Sequence, residues 1–422
     1  MLYTIFVTQS LFSAAQIAVG TLAAIVAARL AGTESVAGLP SSITTFAQAF
    51  TALPIALLMG RFGWRLGLSF GYSLTVLGGA LGVVAILQGS FPLLLASAAL
   101  MGMGRASSDQ SRFAAGEMFP EAERARMIGR IVFAGTIGAI GGPLLVGPSG
   151  RLMEAAGLDG DIGPWVGMVV LCGLGTLITF FLLRPDPMIV ARGLTKFTSP
   201  KLASPELASP ERETPREEVQ REESRQIVRP LSTLLMLPKV QLAVLAVLIS
   251  QTVMVVLMVM TPLHMEHYQH SRENISLVIA MHTLGMFGLS PLTGYLIDRF
   301  GRIPMLFVAA LTLAASALLA PVSTHQYVLA AALFLLGLGW NFGYVSGASL
   351  LADTLKGKER ASVQGINDTL VFLAAGIGSL GAGPLFDRGG YQLVSLAGLA
   401  LPVALIVLIW WLNRPQLTAE SV

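Results

Sequence analysis

The chain alternates long apolar runs with short polar turns. Each run holds about 20 residues or more, enough helix at roughly 1.5 Å per residue to cross a hydrocarbon layer about 30 Å thick. Twelve such runs are predicted, at residues 2–30, 38–60, 66–88, 91–113, 127–150, 164–183, 239–263, 274–297, 303–321, 327–352, 362–384 and 391–412. In lipid only helices and closed barrels satisfy every backbone N–H and C=O, and runs of this length are helices. The expected fold class is an all-α membrane protein with twelve transmembrane helices. Residues 184–238 break the pattern. The stretch "KLASPELASPERETPREEVQREESRQ", with a tandem LASPE, is rich in Pro, Glu, Arg and Ser and cannot bury a core. The chain therefore divides into a six-helix half at 1–184, a polar linker at 185–238 expected to be disordered, a second six-helix half at 239–414 and a tail at 415–422.

The two halves resemble each other. "GRFGWR" (60–65) parallels "DRFGR" (298–302), "GMGR" (102–105) parallels "GLGW" (337–340), and "ERARMIG" (123–129) parallels "ERASVQG" (359–365). Arg61 to Arg299, Gly102 to Gly337 and Arg124 to Arg360 are offset by 238, 235 and 236 residues, close enough to one value to indicate an internal duplication. Glycine-rich "GTIGAIGGP" (135–143) and "GIGSLGAGP" (376–384) repeat the theme in the fifth and eleventh helices, where small residues permit close, sliding contact.

Composition agrees with a membrane chain. Of 422 residues, 54% are hydrophobic and 12% charged, against about 25% charged in ordinary soluble domains. With both termini placed in the cytoplasm, 22 of the 27 Lys and Arg residues fall in or beside cytoplasmic segments; Arg29, Arg105, Arg151, Arg272 and Arg388 are the exceptions. The expected location is the bacterial inner membrane. The basic residues lie in short loops and the linker, so the formal charge of +3 gives no nucleic-acid surface. No cleavable signal is evident in "MLYTIFVTQSLFSAAQ". A single cysteine, Cys172, excludes a disulfide framework. No nucleotide-binding loop is present, so gradients or trapping of the cargo must drive transport.

Six plus six helices with "GYLIDRFGR" (294–302) between the eighth and ninth resemble the major facilitator superfamily over essentially the whole chain. Its loop signature is matched by Gly294, Asp298, Arg299, Gly301 and Arg302. The resemblance implies alternating access by two rocking halves, with these charges gating the cytoplasmic ends. The first-half copy departs from the signature, because Gly60 stands where an aspartate is usual.

The histidines are unevenly placed. His264, His267, His270 and His282 crowd the junction of the seventh and eighth helices, and His325 stands apart. Met254 and Met258 share one face of the seventh helix; His282 and Met286 share one face of the eighth. The short loop makes these helices antiparallel neighbours, and Met254 and His282 then lie about 13 Å and about 12 Å below the outer surface. Neutral thioethers suit Cu(I) and serve hard cations poorly, and an imidazole binds metal only when unprotonated. The same methionines also read as plastic filling between helices. MxxxM followed by HxxxM in these helices resembles the CcoA-type copper importers, which supply copper for assembly of cbb3-type cytochrome oxidase. That resemblance implies import of copper as transported substrate, with Met254, Met258, His282 and Met286 as ligands and an unidentified cytoplasmic acceptor. His264, Met265, His267 and His270 form a candidate capture site outside. Copper, the lipid bilayer and that acceptor are the expected partners, no nucleic acid or bound prosthetic group is expected, and the chain is taken as a monomer that is not an enzyme. The rival reading is a major facilitator exporter of hydrophobic or drug-like small molecules.

Other polar groups are embedded. Arg105 and Asp109 lie one turn apart in the fourth helix, a candidate proton-coupling pair, since charges within a span are costly. Asn367 and Asp368 in the eleventh helix, and Asp353 after the tenth, are further candidates.

Overall fold

A computed structural model describes residues 1–119, 121–190, 229–355 and 357–412. The tandem LASPE and the tail at 415–422 lie outside these residues. The first half contains α1 (Leu2–Ala31), α2 (Leu39–Phe62), α3 (Trp64–Leu87), α4 (Phe91–Asp109), α5 (Ser111–Glu117), α6 (Glu121–Leu144), α7 (Val146–Ala155) and α8 (Gly163–Leu182). The second contains α9 (Leu231–Leu235), α10 (Pro238–His267), α11 (Arg272–Phe287), α12 (Ser290–Phe300), α13 (Arg302–Leu319), α14 (Gln326–Thr354) and α15 (Gly357–Leu412). Ten stretches of the described residues are long and apolar enough to cross a membrane. One of them folds back on itself at Gly389 and Gly390, where φ reaches 60°, and so supplies the eleventh and twelfth spans. The fourth span, α4, carries Arg105 and Asp109, which lower its apolarity.

Two turns fix the repeat in backbone terms. Gly63 between α2 and α3 has φ 92° and ψ 164°; Gly301 between α12 and α13 has φ 91° and ψ 164°. Both values lie in the left-handed region, where a Cβ is strained. The sequence parallel between "GRFGWR" and "DRFGR" is thus a shared chain reversal. The end of the molecule holding these turns is called the near end below.

Part of the expected linker is ordered. The Asp186 carboxylate accepts from the backbone N–H groups of Trp64 (3.2 Å) and Arg65 (2.9 Å), capping the first turn of α3. At the other margin Leu234 of α9 is buried, and the Arg229 guanidinium donates to both oxygens of Glu359 (3.0 and 2.8 Å). The described margins of the linker are therefore tied to α3 and to α15.

Glycines set the spacing within each half. A Cβ on Gly102 of α4 would stand 2.2 Å from the Thr44 carbonyl of α2, and one on Gly104 1.9 Å from Thr75 Oγ1 of α3. In α14 a Cβ on Gly337 would stand 2.2 Å from the His282 carbonyl of α11, and one on Gly339 2.8 Å from Leu313 of α13. The Gly-x-Gly pairs at 102–104 and 337–339 bring equivalent helices together in the two halves.

The halves meet at the far end through ionic contacts. Arg272 at the start of α11 bonds Asp161 (2.8 Å) and Glu154 of the first half. Asp161 also holds Arg29 (2.8 Å), which reaches Asp159 (3.1 Å). Arg151 pairs with Glu273, and His267 Nε2 lies 2.6 Å from Glu34. Ser35 donates to Asp387 (2.7 Å), Ser42 to the Gly376 carbonyl (2.8 Å) and Ser379 to the Gly38 carbonyl (2.9 Å). These contacts seal the far end.

Two outcomes are expected. Arg272→Gln removes charge-assisted bonds worth about 1.5–3 kcal/mol each, so the seal should open more often. Labelling of Ser41→Cys by a membrane-impermeant thiol reagent should rise several-fold, over a low background because Cys172 is buried. Gly337→Ala should lower the melting temperature of the solubilised protein, at a cost of about 1–3 kcal/mol for overpacking, whereas Gly365→Ala, with nothing within 4 Å, should not.

Candidate functional site

Where the described elements place the expected copper ligands is clear residue by residue. Met254 is buried; Met258 and Met286 are half-buried. α10 and α11 run antiparallel as expected, yet along their length both lean on α14, which stands as the main partner of α11 and a large partner of α10. The His282 ring turns to α14, where Nδ1 lies 3.0 Å from the Leu333 carbonyl. A carbonyl only accepts, so Nδ1 carries the proton and Nε2 the lone pair. That Nε2 is buried with no hydrogen-bond partner.

The three outer histidines find separate partners. His264 stacks on Tyr391 with ring centroids 4.4 Å apart, His267 pairs with Glu34, and His270 Nε2 lies 2.7 Å from the Thr324 carbonyl. Met265 is fully buried. His264 and His267 belong to the last turn of α10 rather than to a loop. Among the described residues no three His, Cys, Asp or Glu side chains gather as a metal site.

The signature charges stay within the second half. Arg302 pairs with Asp353 (2.8 Å) and Asp298 (3.4 Å), while Arg299 donates to the Tyr295 hydroxyl (2.9 Å). Gly294 is half-buried and has open space around it, and Gly301 forms the turn already described. In the first half, Asp186 holds the equivalent turn, although Gly60 offers no side chain there.

Inside the bundle a polar and aromatic surface emerges around α4 and α14. Arg105 is exposed within the span and lines a cleft of about 120 Å³ with Gln16, Ser41, Thr44, Met101 and Trp165. Asp109, one turn nearer the turn-bearing end, accepts from Gln48 Nε2. On α14 the Trp340 ring stacks on Tyr344 (centroids 4.9 Å, planes 24° apart) and meets Phe287 of α11 edge-on at 5.8 Å. The Trp340 indole N–H donates to Gln251 Oε1 of α10 (2.8 Å). Asn341 is buried, donating to the Met286 carbonyl (2.6 Å) and Ser290 (3.0 Å). Tyr344 lies within electrostatic range of Asp109 and Arg112 across the molecule and of Asp368 in α15. The two halves therefore face one another here.

Sequence reasoning singled out Arg105, Asp109 and Asp368 but missed Trp340, Tyr344 and Gln251. A signal existed: in the repeat, "GLGW" places Trp340 opposite Arg105, and Tyr344 follows it by one turn.

Comparisons with known proteins agree with this architecture. The profile of the Major Facilitator Superfamily matches residues 5–237 and 242–421. An uncharacterised MFS-type transporter of Bacillus subtilis, YddS, is 32% identical over 98% of this chain and 91% of its own. The riboflavin transporter RfnT of Brucella anthropi is 27% identical over 96% of this chain and 92% of its own. Among solved structures, a D-xylose–proton symporter superposes with a TM-score of 0.69 at 16% identity, covering 96% of both chains, which is a likeness of fold. Two six-helix repeats, a sealed far end and an embedded polar surface fit a carrier and not an enzyme. The chain belongs to the Major Facilitator Superfamily of membrane transporters.

Proposed function

We propose that the protein carries a small planar aromatic solute across the inner membrane, with the near end in the cytoplasm. The observation that carries this reading is the stack of Trp340 on Tyr344, flanked by Phe287, on the helix facing Arg105 and Asp109. Offset and edge-on aromatic contacts hold a flat ligand with about 0.5–1.5 kcal/mol per ring pair beyond buried area. Half-buried rings next to the polar groups Gln251 and Asp368 offer such a ligand both a face and hydrogen-bonding partners. The relation to a riboflavin transporter, whose named cargo is a planar ring system, supports the same class. The sealed far end means that the site is reached from the near end in this state, and Gly301, Asp298, Arg299 and Arg302 would gate that side as the halves rock. Asp109, held by Gln48, is the carboxylate best placed to couple a proton.

A second reading is favoured by the His282 ring. Its Nδ1–H bonds a carbonyl, the arrangement that orients a metal-binding imidazole, and its Nε2 lone pair is unclaimed. On this reading copper, as Cu(I), is the imported cargo, passed along Met258, Met254, His282 and Met286 toward cytochrome oxidase assembly. The relatives named above lend it no support, and His264, Met265, His267 and His270 engage separate neighbours rather than one shared ion.

Uptake of riboflavin and simpler planar aromatics into proteoliposomes separates these readings. Trp340→Ala and Tyr344→Ala should each lower uptake at least tenfold, while Trp411→Phe, on the exposed surface, should leave it unchanged. Undiminished uptake in both cavity variants discards the aromatic reading. Loss of cellular copper accumulation in His282→Ala/Met286→Ala, with aromatic uptake retained, turns the assignment to copper.

A further inference from the structure

Arg105 and Trp340 hold equivalent places in the two halves. Each follows a Gly-x-Gly pair that presses its helix against the same two neighbours, and each lies fourteen residues into a helix running from the far end, α4 from Phe91 and α14 from Gln326. At about 1.5 Å per residue both are roughly 21 Å from that end. In parallel repeats related by an axis along the membrane normal, equivalent positions meet at one depth on opposite walls of the cavity. One turn on, Asp109 and Tyr344 are likewise equivalent, offset by the same 235 residues, and the Asp109 charge reaches the Tyr344 hydroxyl.

The two walls differ in chemistry at this level. Arg105 makes no hydrogen bond or ion pair among the described residues, although Asp109 is one turn away; that carboxylate accepts from Gln48 instead. Arg112, a further turn along, lies over Phe113 at 4.9 Å. A guanidinium with five donors left to water inside a span is costly to keep, and it matches a carboxylate in a planar two-point fork. Thr44 and Thr45 line the same cleft but donate their hydroxyls to the Ala98 and Ser41 carbonyls, which leaves Arg105 and the buried Trp165 indole N–H as donors without a partner there. The cleft of about 120 Å³ beside Arg105 is walled by first-half residues alone and opens a path to the guanidinium; Trp340 is not part of its wall.

From this arrangement we infer that Arg105 binds the carboxylate of an aromatic acid whose ring lies against Trp340, which makes single-ring aromatic carboxylates the preferred cargo class. The inference rests on the aromatic-solute reading above and adds the charge of the cargo and the residue that selects it. Selection works by difference. A neutral amide of the same shape offers the ring but leaves the guanidinium without its anionic partner.

Benzoate and benzamide, acid and neutral isostere, test it by calorimetric titration of the full chain in detergent. The wild type should bind benzoate about tenfold or more tighter than benzamide, as a charge-assisted fork provides. Arg105→Gln should bring the two to equal, weak affinity while melting like the wild type. Arg105→Lys, which keeps the charge without the fork, should retain part of the preference and serves if the glutamine variant does not fold. Trp340→Ala should weaken both ligands alike. Equal affinity of the wild type for acid and amide, or an acid preference undiminished in Arg105→Gln, overturns the role of Arg105 and leaves the aromatic reading standing. If neither compound binds, both fall.

Discussion

The contact on which the rest of the structure depends is the close approach of helix backbones at the two Gly-x-Gly pairs. Lipid gives helices little hydrophobic reason to associate, so packing at short range must supply it. Gly102 and Gly104 let α4 lie against α2 and α3; Gly337 and Gly339 let α14 lie against α11 and α13. With those faces of α4 and α14 committed to neighbours, the residue one step further, Arg105 or Trp340, is turned to the cavity. The same duplication thus fixes the scaffold and offers two positions at which the halves diverged, one to a cation and one to an aromatic ring.

Polar groups at the far end serve a different purpose. Arg29, Asp161, Arg272 and Glu154 form a chain of ion pairs that joins the halves, and Asp161 within it is largely withdrawn from solvent. The near end relies on pairs inside one half, Arg302 with Asp353 and Arg229 with Glu359. A carrier with its strong inter-half bonds at one end is biased toward opening at the other. The family signature at 294–302 is present in the second half, while in the first half an aspartate from beyond the sixth span, Asp186, steadies the corresponding turn.

How much was legible in the sequence follows from the range of the interaction concerned. Spans, turns and the duplication are local or periodic, so twelve helices and the Gly63 and Gly301 reversals could be read directly. The reversal at Gly389 and Gly390 falls in the gap read between the spans at 362–384 and 391–412, whereas the cap by Asp186 could not be read, since it depends on how distant segments dock. The pairing of Met254 with His282 rested on loop length alone: a short loop makes α10 and α11 consecutive, but α11 packs chiefly on α14, and α10 on α15 and α14. His264, His267 and His270 looked like one cluster because they are close in sequence, and an aromatic ring, a carboxylate and a carbonyl in three other elements claim them one by one. Arg272 with Asp161 was beyond reach, because nothing local says which charge a rocking half will meet.

α10 joins the aromatic wall to the far-end clasp. It is a continuous helix of 30 residues, with Gln251 near its middle holding the Trp340 indole and His267 at its tip beside Glu34 of the other half. A rod of about 24 Å separates those two points. Any displacement of Trp340 is therefore carried along this one helix, past Pro262, to a tip that already grips the opposing half, so the aromatic wall and the clasp are joined without any intermediary loop.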